Sequence, residues 1–285
     1  MVVWAANRQI YHHWLRMNCV RFRKLSTMTT HERRFADLTG LRAVVTGSSG
    51  GIGRSIALEF AAGGADLVVH CRCTVQNAEA VAEQIRNRGR RATVLTADLA
   101  RESELAQFVE SAWQALGGCD IWVNNAGVDL LTGERNHLDY PDKLRALLDV
   151  DVRASILLSR LAGRRMSESG GGVVLNIGWD QADRGMERDS GELFAAAKNA
   201  VMGFSRSLSL SLAPLVRVNC IAPGWIRTAW GEQAGDYWQQ RVLSETPLER
   251  WGTATDVATL ARFLASPDAG YITGQVINVN GGAVR

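Results

Sequence analysis

Thr46-Gly47-Ser48-Ser49-Gly50-Gly51-Ile52-Gly53 closes a short apolar run at residues 43–46 and opens a helical pattern at 54–62. This succession of strand, glycine-rich turn and helix decides the fold. Glycines permit a tight turn, let a pyrophosphate approach the backbone and let the helix pack closely on the strand. The helix N-terminus then offers free N–H groups and the positive end of its dipole to phosphates. A glycine-rich turn often only turns, but this one stands directly between strand and helix, where the chemistry requires it. Gly47, Ser48, Ser49, Gly51, Ile52 and Gly53 are therefore candidate dinucleotide contacts.

Outward from this turn, β-branched apolar runs alternate with helical patterns. Strands are predicted at 43–46, 66–70, 92–96, 120–124, 172–177, 216–221 and 275–279. One helix shows its period plainly, since Leu105, Phe108, Val109, Ala112, Trp113 and Leu116 follow the i, i+3, i+4, i+7 rule of one buried face. Near-continuous apolar strands between amphipathic helices imply a parallel sheet covered on both sides. There is no internal repeat and no low-complexity segment. The expected fold is α/β: a Rossmann-like, doubly wound, seven-stranded parallel sheet in a single domain spanning 35–285, with the folded part starting at Leu41.

Hydrophobic residues make up 46% of the 285 and charged ones 21%, ordinary for a globular chain. The net charge of +3 is unevenly placed. Residues 1–34 carry seven basic groups against the single acid Glu32, leaving 25 basic and 28 acidic residues in the remainder. The globular part is mildly acidic and gives no electrostatic case for nucleic-acid binding. An Arg-rich, acid-poor leader reads either as an organellar transit peptide or as sequence upstream of a true start at Met28, the favoured reading; either way it is expected to be poorly ordered. Cys19, Cys71, Cys73, Cys119 and Cys220 form no CxxC pair and no metal-ligand spacing, so they read as reduced thiols of a cytoplasmic protein without a metal. No apolar run reaches the roughly 18 residues that span a bilayer.

The second strand ends in Val69-His70-Cys71-Arg72. No acid stands where one would bind the adenosine ribose hydroxyls, and Arg72 is suited to a 2′-phosphate. This favours NADP(H) over NAD(H), although the place in the glycine loop that often carries a second basic residue is Gly50.

Taken together, several ordered motifs resemble the short-chain dehydrogenase/reductase family, nearest its 3-oxoacyl-carrier-protein reductase-like branch. They are the glycine turn, Asp98-Leu99, Asn124-Asn125-Ala126-Gly127, Pro223-Gly224 with Thr228, and Ile272-Thr273-Gly274-Gln275 leading to Asn280-Gly281-Gly282. The resemblance implies that Asp98 and Leu99 flank the adenine, and that Asn125, Ala126 and Gly127 line the cofactor groove. It places Pro223 and Gly224 beside the cofactor, with Thr228 reaching the nicotinamide carboxamide. It also implies a homo-oligomer, tetramer or dimer, formed through helices at 144–166 and 192–213 and the final strand.

Catalysis in that family rests on a tyrosine, a serine, a lysine and an asparagine. The resemblance gives Lys198 as the lysine, binding the nicotinamide ribose. Phe194 stands at the tyrosine position, Trp179 at the serine position and Asp151 at the asparagine position. The loop between Trp179 and Phe194 is two residues longer than usual and crowded with acids. Asp180 is the candidate replacement acid, since a related pteridine-reductase branch places an aspartate at the serine position and an apolar wall of Trp179 and Phe194 would raise its pKa. Alternatively Asp180 caps the loop or pairs with an arginine. Asp151 reads as a relay acid or as a helix-surface charge. Trp179, Trp225, Trp230 and Trp238 fall where this fold surrounds its substrate, which suits a flat or apolar small molecule; the alternative is core or subunit packing. Two functions remain open: an oxidoreductase with a non-standard acid, or a dinucleotide-binding pseudoenzyme with a sensing or structural role.

Overall fold

The computed structural model describes residues 34–132 and 134–285. The basic leader apart from Arg34 lies outside the described residues, together with Cys19 and the transit-peptide and start-site readings.

Strand β1 (Arg42–Val45) passes through the glycine turn into α1 (Gly51–Ala62), and β2 (Asp66–Cys71) leads to α2 (Val75–Arg86). Next come β3 (Ala92–Thr96), α3 (Glu102–Leu116) and β4 (Ile121–Asn124). Helix α4 (Tyr140–Leu147) continues through a π-helical turn, Leu148–Ala154, into α5 (Ser155–Glu168). Then follow β5 (Gly172–Ile177), the long α6 (Arg188–Leu212) and β6 (Val216–Pro223). Two short helices, α7 (Ala229–Gln233) and α8 (Asp236–Glu245), precede α9 (Ala254–Ala265) and β7 (Val276–Val279).

The seven strands form one parallel sheet in the order β3-β2-β1-β4-β5-β6-β7. Helices α1, α2 and α9 bury their apolar stripes on one face and α3, α5 and α6 on the other. Every predicted strand is present, with bounds moved by two residues at most. The strand order reverses between β1 and β4, so the loops after these strands part and leave a crevice above the carboxyl edge. The packed part starts before Leu41: the Leu38 side chain is fully buried and its amide donates to the Gly63 carbonyl at 2.8 Å.

Local chemistry accounts for the elements. Helix α3 carries Glu102 and Glu104 in its first turn, where the dipole favours acids, and ends on Gly117 at φ +68°, the left-handed cap. Its buried residues are the six that the sequence period selects. Helix α9 opens on a reciprocal cap between Thr253 and Asp256. The predicted single helix at 144–166 is corrected to three pieces, because the π turn inserts a residue between α4 and α5.

A buried polar ladder fixes α6 against the sheet. Trp122 Nε1 donates to Asn124 Oδ1 (2.9 Å), and Asn124 Nδ2 donates to Asn176 Oδ1 (2.8 Å) and Ser159 Oγ (2.8 Å). Asn176 Nδ2 then donates to Ser205 Oγ on α6 (2.8 Å). Buried polar groups must all be partnered, so only one register of α6 suits this ladder.

Candidate active site

The loops after β1 and β4 are stitched together beneath the crevice. Thr46 Oγ1 accepts from the amides of Asn125 (2.9 Å) and Ala126 (3.0 Å), while Asn125 Nδ2 donates to the carbonyls of Thr46 (3.0 Å) and Gly47 (3.1 Å). Gly47 takes φ +61°, and a Cβ there would stand 2.8 Å from Ala126 Cα. A Cβ on Gly53 would overlap the Gly47 carbonyl and Asn125 Nδ2. Helix α1 has no side-chain cap at Gly50, so its first N–H groups stay open to a ligand. Ser48 is turned inward, its hydroxyl donating to the Val45 carbonyl (2.7 Å) and accepting from the His70 amide (3.0 Å). Its part in the turn is therefore to brace it.

His70, at the tip of β2, is 2% exposed and edged by Phe108 at 4.7 Å. The Gly47 amide donates to Nδ1 (3.0 Å), which leaves Nε2–H to donate to the Ala97 carbonyl (3.1 Å). Burial lowers its pKa to about 4, against the opposing pull of the Ala97 carbonyl, so the ring is neutral. Beside it opens a cavity of about 390 Å³, whose wall includes Arg72, Asp98, Leu99, Ala126 and Gly127. These five, dispersed in the sequence, meet at one place.

At the other end of the crevice, Lys198 Nζ lies 2.9 Å from Asp151 Oδ1 and donates to the Ile177 carbonyl at 3.3 Å. Asp151 is 1% exposed, and its Oδ2 accepts from the Val128 amide at 2.9 Å. A Cβ on Gly127 would come within 2.8 Å of Asp151 Oδ1, so the glycine makes room for the carboxylate. The helix-surface reading of Asp151 is corrected. The π turn rotates its side chain inward, as such turns do at functional sites. Phe194, one helical turn before Lys198, meets the Trp179 ring edge-on at 6.4 Å. Neither ring offers an O–H.

Asp180 is 2% exposed and belongs to a different group of contacts. Its amide donates to the Pro223 carbonyl (3.1 Å), and its Oδ2 accepts from Asn280 Nδ2 (3.0 Å). A Cβ on Gly224 would lie 3.0 Å from that same oxygen. Oδ1 is buried without a hydrogen-bond partner. Burial raises its pKa to about 6, opposed by the Asn280 hydrogen bond. The alternative pairing with an arginine is absent among the described residues, and Asn280 is the side-chain partner instead.

The residues 47–284 match the family profile described as enoyl-(acyl carrier protein) reductase. The chain is 33% identical over 244 residues to the 3-oxoacyl-[acyl-carrier-protein] reductase of Staphylococcus aureus, covering 84% of this chain and 96% of that one. The chain belongs to the short-chain dehydrogenase/reductase family. Among solved structures, a short chain dehydrogenase from Burkholderia cenocepacia in complex with NADP aligns with TM-score 0.78 and 35% identity, over 86% of this chain and 98% of that one. A 7α-hydroxysteroid dehydrogenase with NADH and 7-oxo glycochenodeoxycholic acid aligns with TM-score 0.79 and 33% identity, over 87% and 96%.

Short-chain dehydrogenases bind NAD(P), and the glycine turn, the open N-terminus of α1 and the adjoining cavity fit a dinucleotide. Among the described residues no cluster of three or more His, Cys, Asp or Glu side chains is arranged for a metal, and no helix is long and apolar enough to cross a membrane. Past β6, the chain carries a cluster of four packed indoles. Trp225 and Trp230 lie 6.1 Å apart, and each lies 5.5 to 6.3 Å, centroid to centroid, from both Trp238 and Trp251. Trp225 Nε1 donates to Glu245 (3.1 Å) and Trp251 Nε1 to Gln239 (2.8 Å). Arg241 covers the Trp238 ring at 5.1 Å and pairs with Glu245 (2.6 Å) and Glu187 (2.5 Å), joining α8 to the loop that enters α6. Sequence reasoning missed Trp251 and Arg241, and placed Glu187 in the charged loop without its partner. Only the i, i+4 spacing of Arg241 and Glu245 was a usable signal.

Proposed function

We propose that this short-chain dehydrogenase is an NADP(H)-dependent oxidoreductase acting on a small molecule with a C=O, C=N or C=C group through a non-standard catalytic centre. The carrying observation is the buried Lys198–Asp151 pair set against the Phe194 and Trp179 rings. In this reading Gly47, Ser49, Gly51, Ile52 and Gly53 hold the pyrophosphate, and Asp98 and Leu99 flank the adenine. Asn125, Ala126 and Gly127 line the groove, Pro223 and Gly224 border it, and Thr228 meets the carboxamide. Lys198 holds the nicotinamide ribose, with Asp151 as its counter-ion. Bound nicotinamide supplies or accepts the hydride.

Phe194 and Trp179 then stand where the family's tyrosine and serine would be. A positioned general acid contributes roughly 10²–10⁴-fold and one oxyanion donor roughly 10²–10³-fold. Their joint loss cripples ordinary ketone reduction unless a carboxylic acid serves instead. Asp180, with its unpartnered oxygen and raised pKa, is the residue in reserve, although its contacts run to Asn280 and Gly224. A second reading, a nucleotide-binding pseudoenzyme, draws on the same two rings, which leave Lys198 without a hydroxyl neighbour to activate. Members of the family are commonly oligomeric, and α5, α6 and β7 are the elements proposed for a dimer or tetramer.

Calorimetry with NADPH, followed by turnover across carbonyl, imine, pterin and enone substrates, tests the reading. Binding with turnover supports the oxidoreductase, and binding without turnover on any of them selects the pseudoenzyme. Phe194→Tyr combined with Trp179→Ser is expected to raise ketone reduction by about 10²–10⁴-fold. No gain would show that the altered loop, rather than the two rings, blocks the chemistry.

A further inference from the structure

We propose that Arg135, on the short turn Glu134–His137 after β4, is the second cation of a 2′-phosphate clamp, opposite Arg72 at the tip of β2. This rests on the reading that the cavity beside the glycine turn holds the adenosine half of the nucleotide. Both arginines line that cavity, together with the adenine-flanking candidates Asp98 and Leu99. Neither guanidinium forms an ion pair among the described residues.

The acids near them are already engaged. Asp129 accepts from the amides of Leu131 (2.8 Å) and Thr132 (3.0 Å) and from the Thr132 hydroxyl, all within its own turn. Asp98 Oδ1 accepts from the Ala100 amide (3.1 Å), and its other oxygen lies 3.6 Å from Arg101. His70 stands where an acid would hold a ribose hydroxyl, yet both its ring nitrogens are committed to Gly47 and Ala97. Among the described residues, the acids of this wall are thus already drawn to other partners, which favours a phosphate over a bare 2′-hydroxyl here. A 2′-phosphate meets two unpaired guanidiniums, whose forked N–H groups match its oxygens. Gly50 leaves the glycine turn without the cation often found there. Arg135 supplies that charge from across the cavity, from a loop with no sequence signature for it.

The test measures dissociation constants by calorimetry for NADPH, NADH, adenosine 2′-monophosphate and adenosine 5′-monophosphate. The proteins are the full chain, Arg135→Ala, Arg135→Lys, Arg72→Ala and the double alanine variant, each checked for an unchanged melting curve. Arg135→Ala is expected to weaken NADPH and the 2′-monophosphate by about tenfold to a hundredfold, the range of a charged hydrogen bond. NADH and the 5′-monophosphate should move by less than about twofold, with Arg135→Lys intermediate and the double variant no longer preferring NADPH. An equal loss of NADH and NADPH would move Arg135 to the pyrophosphate and overturn the clamp. An unchanged NADPH-to-NADH ratio in Arg135→Ala would overturn it too, while the cofactor reading stood. A wild-type chain that binds neither nucleotide, or prefers NADH, removes the cofactor reading and the clamp together.

Discussion

The two ends of the crevice are built by opposite rules. At the nucleotide end, glycines and backbone groups make the surface, and the side chains of Thr46, Ser48, His70 and Asn125 are consumed in bracing it. At the Lys198 end, bulk and charge take over: the Lys198–Asp151 pair beside the Phe194 and Trp179 rings and, past β6, the four indoles with the ion pairs of Arg241. A backbone surface serves any dinucleotide. A surface of packed rings serves whatever fits between them, and each ring is a choice. The difference teaches where specificity is to be sought in this protein.

The largest effect should come from the ion pair at the Lys198 end. Lys198→Met leaves Asp151 buried and unpaired, which costs about 3–5 kcal/mol in a denaturant melt. The double variant with Asp151→Asn should recover a large part of that loss, since no charge remains to be desolvated. If the single variant melts like wild type, the pair is not a structural bridge and the contrast between the ends weakens.

A smaller effect is expected at Asp180. Its folded pKa of about 6 lies above the ordinary carboxylate value, so the native state binds the proton more tightly than the unfolded chain. The stabilisation is present below pH ~4 and is lost as pH rises towards about 6. Asp180→Asn should therefore be more stable than wild type at pH 7, by about 2–3 kcal/mol, with the gap closing in acid. A pH-independent difference between the two proteins would remove the buried-acid description.

The smallest change is expected from Arg241→Ala, which cuts the link from α8 to Glu187. A loss of about 1 kcal/mol, with faster amide exchange in α8 and no change in NADPH affinity, would sharpen the separation of the two ends. Exchange in α1 rising equally would blur it.

The legibility of the sequence follows the same division. The seven strands could be read because apolar β-branched runs are bounded by turns, and each is a local signal. The glycine turn was legible for the same reason. Leu38 was missed because one apolar residue among polar neighbours has no period. The π turn was invisible because hydrophobic periodicity tolerates one inserted residue, and the partner of the Asp151 it carries is Lys198, far along the chain. Spacing alone thus left Asp151 open between a relay acid and a surface charge, and folding, which buries it against Lys198, removed the second. The fourth indole, Trp251, joins the cluster from the loop before α9, and Arg241's second partner comes from the loop before α6. Such pairings lie in tertiary geometry, where spacing along the chain carries no information.

The indole cluster also makes the molecule an optical instrument. The strong far-ultraviolet transition dipoles of neighbouring indoles 5.5 to 6.3 Å apart couple, so the circular dichroism there should carry a paired positive and negative band over the backbone signal. That couplet depends on the angles between the rings and changes if any one of them turns away. The region past β6 therefore announces its own conformation in the spectrum of the unlabelled chain.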